Sequence, residues 1–200
     1  YVSFDNVAVG TAQGEGLIEC FGGDTDGKRI IQLHGSPTDN NATLFREGYQ
    51  AAIADAGFET VGEEAVPDWD NAQGGVIFEQ LLTAAGGNVD GVLVANDGLS
   101  LAVQQVLADN GLTLPTTGQD ATVEGLRAIL QGTQCMTVYK PVYEEANAAV
   151  AAAVALLNGE TPDANATINN EVTDIPYVKA DIQSIFIDQV TDVVADGFVT

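Results

Sequence analysis

The sequence predicts an α/β fold: a doubly wound parallel sheet with helices on both faces. Three observations carry that expectation. Short β-rich segments alternate along the chain with longer segments of helical apolar spacing. The strands are brief continuous apolar runs, such as GVLVA at 91–95, which suit a sheet covered on both sides. Strand–helix–strand crossovers are right-handed almost without exception, so such an alternation closes into a parallel sheet.

The elements follow in order. Residues 1–4 are short and β-rich. Residues 7–20 carry helical spacing (Val9, Ala12, Gly16, Leu17, Cys20), ended by Gly22-Gly23-Asp24. Residues 29–33 read as a buried strand. Residues 40–56 read as a helix with Leu44, Tyr49, Ala52 and Ile53 on one face, punctuated by Gly57. Residues 58–66 are strand-like. Residues 71–85 are helical, with Val76, Ile77, Leu81 and Leu82 inward, and Gly86-Gly87 stops them. After GVLVA, residues 99–109 form a helix closed by Asn110-Gly111. A short segment at 112–118 precedes a helix over 121–131, ended by Gly132. Residues 136–139 form a strand, and 141–158 a long helix with Pro141 at its first turn and Gly159 after it. Beyond Gly159 the pattern changes: 161–177 are polar, and 178–200 read as an irregular tail.

Composition narrows the function. Six Lys and Arg stand against 29 Asp and Glu, a formal net charge of −23. So few positives cannot make the footprint of a nucleic-acid binder, and the charge opposes an anionic membrane surface. The chain starts at Tyr1 without a signal peptide, and is expected to be a processed or truncated product. Two Cys without CxxC spacing give no thiolate metal site. A Cys20–Cys135 disulfide in an exported protein and two separate buried thiols both fit.

In open α/β sheets, ligands bind beyond the carboxyl ends of the strands. There the sequence places Asp5 and Asn6, then Ser36, Asp39, Asn40 and Asn41, then Asp68 and Trp69, then Asn96 and Asp97, then Gln119 and Asp120, and last Lys140. Asn and Asp are preferred helix N-caps, and capping explains part of this set. It does not explain Trp69, the only Trp, or Lys140. Carboxylates accept from paired hydroxyls, Asn donates and accepts, Lys donates, and an indole covers the apolar face of a sugar ring. That mixture suits a neutral polyhydroxylated ligand; an anionic one calls for more cations.

Other chemistry lacks its residues. There is no GxGxxG or GxxxxGK[ST] loop. Asp24-x-Asp26-Gly27 lacks the downstream ligands of a calcium loop and reads as a solvated turn. His34, the only His, reads as a satisfied residue at a loop edge, not as a base for Ser36. Asp97 and Asp120 could pair for glycoside hydrolysis but fit ligand acceptors or caps better. No cofactor is implied, and the protein is not expected to be an enzyme.

The strand-end segments carry a resemblance. Ser3-Phe4-Asp5-Asn6, Gly35-Ser36-Pro37-Thr38-Asp39-Asn40-Asn41-Ala42, Ala95-Asn96-Asp97, Gly118-Gln119-Asp120-Ala121 and Thr133-Gln134-Cys135-Met136-Thr137-Val138-Tyr139-Lys140-Pro141 together resemble the D-xylose-binding proteins of bacterial ABC importers, within the type I periplasmic sugar-binding proteins. It extends to Asp196-Gly197-Phe198. The resemblance implies two α/β lobes joined by three crossings, clamping a monosaccharide and delivering it to a membrane permease. It implies an extracytoplasmic protein, periplasmic or lipid-anchored. Carried over, the sugar-binding residues are Asp39, Asn41, Trp69, Asn96, Asp120 and Lys140. There are two departures: the stretch between Trp69 and the Asn71 helix is shorter than the family's loop, and His34 replaces a residue that is commonly Gly.

The resemblance also implies that the first lobe is largely absent. Residues 1–140 would be the second, C-terminal lobe. Residues 141–160 would be a helix that packs on the first lobe, and 161–200 the return crossing and closing segment. The helix face Ala146, Ala149, Val150, Ala153, Val154 and Leu157 would then lack its partner, the first lobe or a neighbouring chain. The alternative of the same fold is the sugar-sensing domain of a transcription repressor; a third reading is a sugar-acting enzyme.

Overall fold

The structure, a computed structural model, describes residues 1–197. Phe198, the last residue of the terminal resemblance, lies outside the described residues. The chain divides into two units, one of Tyr1–Asp5 with Lys140–Gln183, the other of Asn6–Tyr139 with the stretch from Ser184.

The larger unit follows the expected alternation. Helix α1 (Asn6–Cys20) leads to β2 (Arg29–His34), α2 (Asn40–Ile53), β3 (Glu59–Ala65), a 3-10 turn at Pro67–Trp69 and α3 (Asn71–Ala84). Then come β4 (Gly91–Val94), α4 (Asp97–Asp109), α5 (Val123–Gln131) and β5 (Thr137–Tyr139). Strands β3, β2 and β4 lie side by side in that order, all parallel. The 115–117 segment extends the pattern: Val92 N donates to Pro115 O and Thr117 N to Val92 O.

Alternation along β2 sorts the two faces. Ile31 and Leu33 join Val66, Phe78, Leu82, Leu99 and Val103 in one core cluster, beneath α3 and α4. His34 points the other way and stacks on Tyr49 of α2, ring centroids 5.7 Å apart. On that side α1 and α2 approach backbone to backbone. A Cβ on Gly10 would lie 2.0 Å from Phe45 O, and one on Gly48 2.1 Å from Val7 O. Only glycine allows that approach. A Cys20–Cys135 disulfide ties the end of α1 to the approach of β5, resolving the two readings of these thiols.

Helix starts move where caps decide. Helix α5 begins at Val123 rather than 121, because Thr122 caps it and Asp120 and Ala121 have positive φ. Helix α4 begins at Asp97, capped by Asn96.

The end of the chain corrects the expected irregular tail. Strand β8 (Gln183–Ile185) pairs with β5, and α7 (Val190–Ala195) follows a 3-10 turn. Ile185, Val190 and Val193 are buried with Ala121, Leu126, Ile129 and Tyr139. Three apolar contacts spread over nine residues suffice to dock this segment, too sparse a pattern to read as periodicity.

The smaller unit holds β1 (Val2–Phe4), α6 (Val142–Leu157), β6 (Ala166–Asn169) and β7 (Asp174–Ala180). Strand β7 pairs in parallel with β1 and antiparallel with β6. The polar 161–177 stretch therefore contains a hairpin, its turn held by Asn170 Oδ1 accepting from Val172 N and Thr173 N. One division between the units falls between Tyr139 and Lys140. Tyr1–Asp5 groups with the later segment, where β1 finds its partner in β7.

Candidate functional site

Parallel neighbours end on one edge, so the loops after β2, β3 and β4 gather there. The β2 loop carries Asp39, which does two jobs. Oδ1 accepts from Asn41 N at 2.8 Å and caps α2; Oδ2 accepts from Trp69 Nε1 at 3.1 Å. Asn41 Oδ1 accepts from Asn6 Nδ2 at 2.9 Å. The structure thus brings Asp39, Asn41 and Trp69 together and adds Asn6, which the sequence placed at a strand end but not among the sugar-binding residues. The Trp69 ring lies against Gly35, where a Cβ would stand 2.0 Å from the indole. Ser36 Oγ accepts from Asp68 N at 3.2 Å and bonds Thr38 Oγ1, fastening the two loops.

Asn96 and Asp120 form a second group. Asn96 Oδ1 accepts from Leu99 N at 2.9 Å and so caps α4. Asp120 is half-buried, and its backbone N donates to Val138 O at 2.9 Å. Asp97, next to Asn96, is wholly buried, and its N donates to Gln119 O. Its carboxylate accepts from Gln134 Nε2, Thr137 Oγ1, and the backbone N and hydroxyl of Thr122. Burial pushes its pKa up to about 6 against the pull of those hydrogen bonds. Enclosed in this way, Asp97 neither accepts from a ligand nor pairs with Asp120 for hydrolysis. Ser36 and Gln119 are likewise buried. Lys140 opens the second segment of the smaller unit and is half-buried.

Backbone strain marks the same two loops. Five non-glycine residues among those described have positive φ: Asp68, Trp69, Asp120, Ala121 and Glu171. Four of them present Trp69 and Asp120. Such conformations cost about 1–3 kcal/mol each and persist where the surroundings hold them.

His34, the last residue of β2, is a satisfied residue at the loop edge, as expected. Nδ1 pairs with the Tyr49 hydroxyl and Nε2 lies 3.3 Å from Glu63 Oε2. Burial, helped by Arg46, lowers its pKa despite Glu63. Among the described residues, no three His, Cys, Asp or Glu converge as a metal site.

The fold and sequence are shared with relatives. A family model described as "Periplasmic binding protein domain" matches residues 1–161. The D-xylose-binding periplasmic protein of Escherichia coli (strain K12) is 38% identical over 182 residues, covering 88% of this chain and 54% of that protein. The D-xylose-binding periplasmic protein of Haemophilus influenzae is 35% identical, covering 100% and 61%. The chain thus spans little more than half the length of these two relatives. A solved carbohydrate transporter solute binding protein from Chloroflexus aurantiacus, in complex with D-glucose, superposes with a TM-score of 0.88 at 28% identity, over 100% of this chain and 68% of that one.

Proposed function

The chain belongs to the periplasmic binding protein family, and from that premise we propose that the complete protein captures a monosaccharide, D-xylose or a related aldose, for an ABC importer. The observation that carries this reading is the placement of backbone strain: four of the five non-glycine residues with positive φ among those described lie in the two loops that hold Trp69 and Asp120. Strain held at a ligand edge is expected of a preorganised site.

In this reading the indole of Trp69, held at its N–H edge by Asp39, stacks on the C–H face of the sugar. Asp39 and Asp120 accept from sugar hydroxyls, Asn41 and Asn96 donate and accept, and Lys140 supplies one cationic donor. Closure of two lobes over the sugar favours the state that a permease accepts. The protein performs no catalysis. The exposed α6 face meets the first lobe, formed by a further part of the protein. The Cys20–Cys135 disulfide supports an exported binder over a repressor's sugar-sensing domain, since cytoplasmic thiols are kept reduced.

Titration calorimetry on the complete protein with D-xylose, L-arabinose, D-ribose and D-glucose tests the reading. D-Xylose is expected to bind most tightly, and Trp69→Ala or Asp120→Ala to weaken it more than tenfold, about 1.4 kcal/mol. Parental affinity in both variants would sink the site assignment; no heat with any of the four sugars would sink the function.

A further inference from the structure

We infer that Asp97, which no sugar can touch, is the positioning residue of the proposed monosaccharide site: its carboxylate sets the strained turn that presents Asp120 and ties that turn to Asn96. The inference rests on the sugar-binding reading and names what holds the site in shape.

The cradle is built for a carboxylate. Asp97 Oδ1 accepts from Gln134 Nε2 and Thr137 Oγ1, both at 2.8 Å. Oδ2 accepts from Thr122 N at 2.8 Å and Thr122 Oγ1 at 3.1 Å. Two glycines clear the space: a Cβ on Gly118 would lie 2.1 Å from Oδ1, and one on Gly125 2.3 Å from Oδ2. Four donors converge on one group, and every one of these partners is neutral. An amide cannot replace the acid without setting its own NH2 against a donor. Gln134 cannot turn to receive that NH2 while its oxygen accepts from Gln104 Nε2 at 3.1 Å.

A short relay joins this cradle to the sugar edge. The Thr137 hydroxyl donates to Asp97 and accepts from Ala121 N at 3.2 Å, so the carboxylate fixes which way the hydroxyl points. Ala121 has φ 47° and Asp120 φ 98°. Thr122, the next residue, is bound directly to Asp97. The turn bearing Asp120 is therefore gripped at 121 and 122 by one buried group. Asp97 N also donates to Gln119 O at 3.0 Å, so the residue before Asp120 is tied to the residue after Asn96. With the carboxylate removed, the Thr137 hydroxyl that receives Ala121 N is no longer oriented, Thr122 is released, and the Asp120 side chain leaves its aim.

The experiment measures D-xylose affinity of the complete protein by titration calorimetry, with folding checked by far-UV circular dichroism. Asp97→Asn and Thr137→Val are expected to weaken binding at least tenfold, and Thr137→Ser to restore it to within threefold. Leu82→Ala, a core truncation in α3 remote from the relay, is expected to leave affinity within twofold while lowering stability. Parental affinity should also fall as pH drops through about 6, where Asp97 gains a proton that its four donors cannot accept; Asp97→Asn should lack that limb. Should Asp97→Asn fail to fold, Thr137→Val and its Thr137→Ser rescue decide. Parental affinity in Thr137→Val, or an equal loss in Leu82→Ala, overturns the inference. Asp120→Ala, run alongside, separates the failures: if it loses xylose and Thr137→Val does not, only the positioning role fails, whereas if neither matters the sugar site itself is misassigned.

Discussion

Helices α1 and α6 are both rich in small residues, yet they differ completely in burial. Helix α1 buries Val9, Gly10, Gln13, Gly14, Gly16 and Leu17, while α6 buries no residue at all. Val150, Val154, Leu156 and Leu157 of α6 are all more than half exposed. The difference lies in the partner. Glycines of α1 meet glycine and backbone of α2, so two cylinders close to contact distance. Helix α6 offers alanines to the strands of its own unit and turns its apolar residues outward. Small side chains permit close packing; a complementary surface decides whether it happens.

The largest expected effect breaks the buried side of that comparison. The disulfide at the end of α1 closes a loop of 115 residues. Replacing Cys20 and Cys135 with Ser should cost about 5 kcal/mol of unfolding free energy by urea titration, on the loop-entropy account. A loss below about 1 kcal/mol would show that the packing of α1 against α2 holds this end without the cross-link.

Next comes pH. Asp97 has its folded pKa raised from 3.8 to about 6. Below 3.8 the acid is protonated in both states and contributes nothing. Between those values the folded state holds the proton more tightly, so stability falls as pH rises, by about 3 kcal/mol in all. His34 works the other way: its lowered pKa gives stability that is present above 6.5 and lost as pH falls. The stability difference between the parent and Asp97→Asn isolates the first effect, and should shrink from the parent's side as pH climbs from 4 to 6. A flat difference would contradict the buried assignment.

Much of the larger unit was legible in sequence because β2 and β4 are apolar runs and α2 to α5 carry side-chain caps. Asp39 and Asn96 could be placed at a common edge on that ground alone. What sequence could not separate was Asp97 from Asp120. Each follows an amide residue after a strand-like segment, and only the room left by Gly118 and Gly125 takes one of them inside. The bond from Trp69 to Asp39 was equally out of reach, since it joins loops from different strands. Strand β7 was missed for a further reason: its outer positions are polar or exposed, and its parallel partner β1 lies at the other end of the chain.

Gly48→Ala sharpens the comparison at smaller cost. Its Cβ would meet Val7 O at 2.1 Å, so α1 and α2 must separate, and overpacking of this kind costs about 1–3 kcal/mol. Differential scanning calorimetry should record a lower Tm. An unchanged Tm would mean that the helix pair is looser than its glycines imply.

Leu157→Ala is the counterpart on α6 and the smallest effect. Leu157 is 86% exposed, so truncation removes almost no buried area. In the 200-residue chain the change should stay within about 0.5 kcal/mol by urea titration, helped by the slightly better helix propensity of Ala. The same substitution in the complete protein gives the contrast its meaning. If a further part of the protein covers α6, the side chain is buried there, and its loss should cost about 2 kcal/mol or more. Equal, small effects in both would place α6 on the outer surface of the complete protein and remove the proposed lobe contact. A large effect in the 200-residue chain would instead mean that α6 already has a partner, a second copy of the same chain, and the cost should then fade as the protein is diluted.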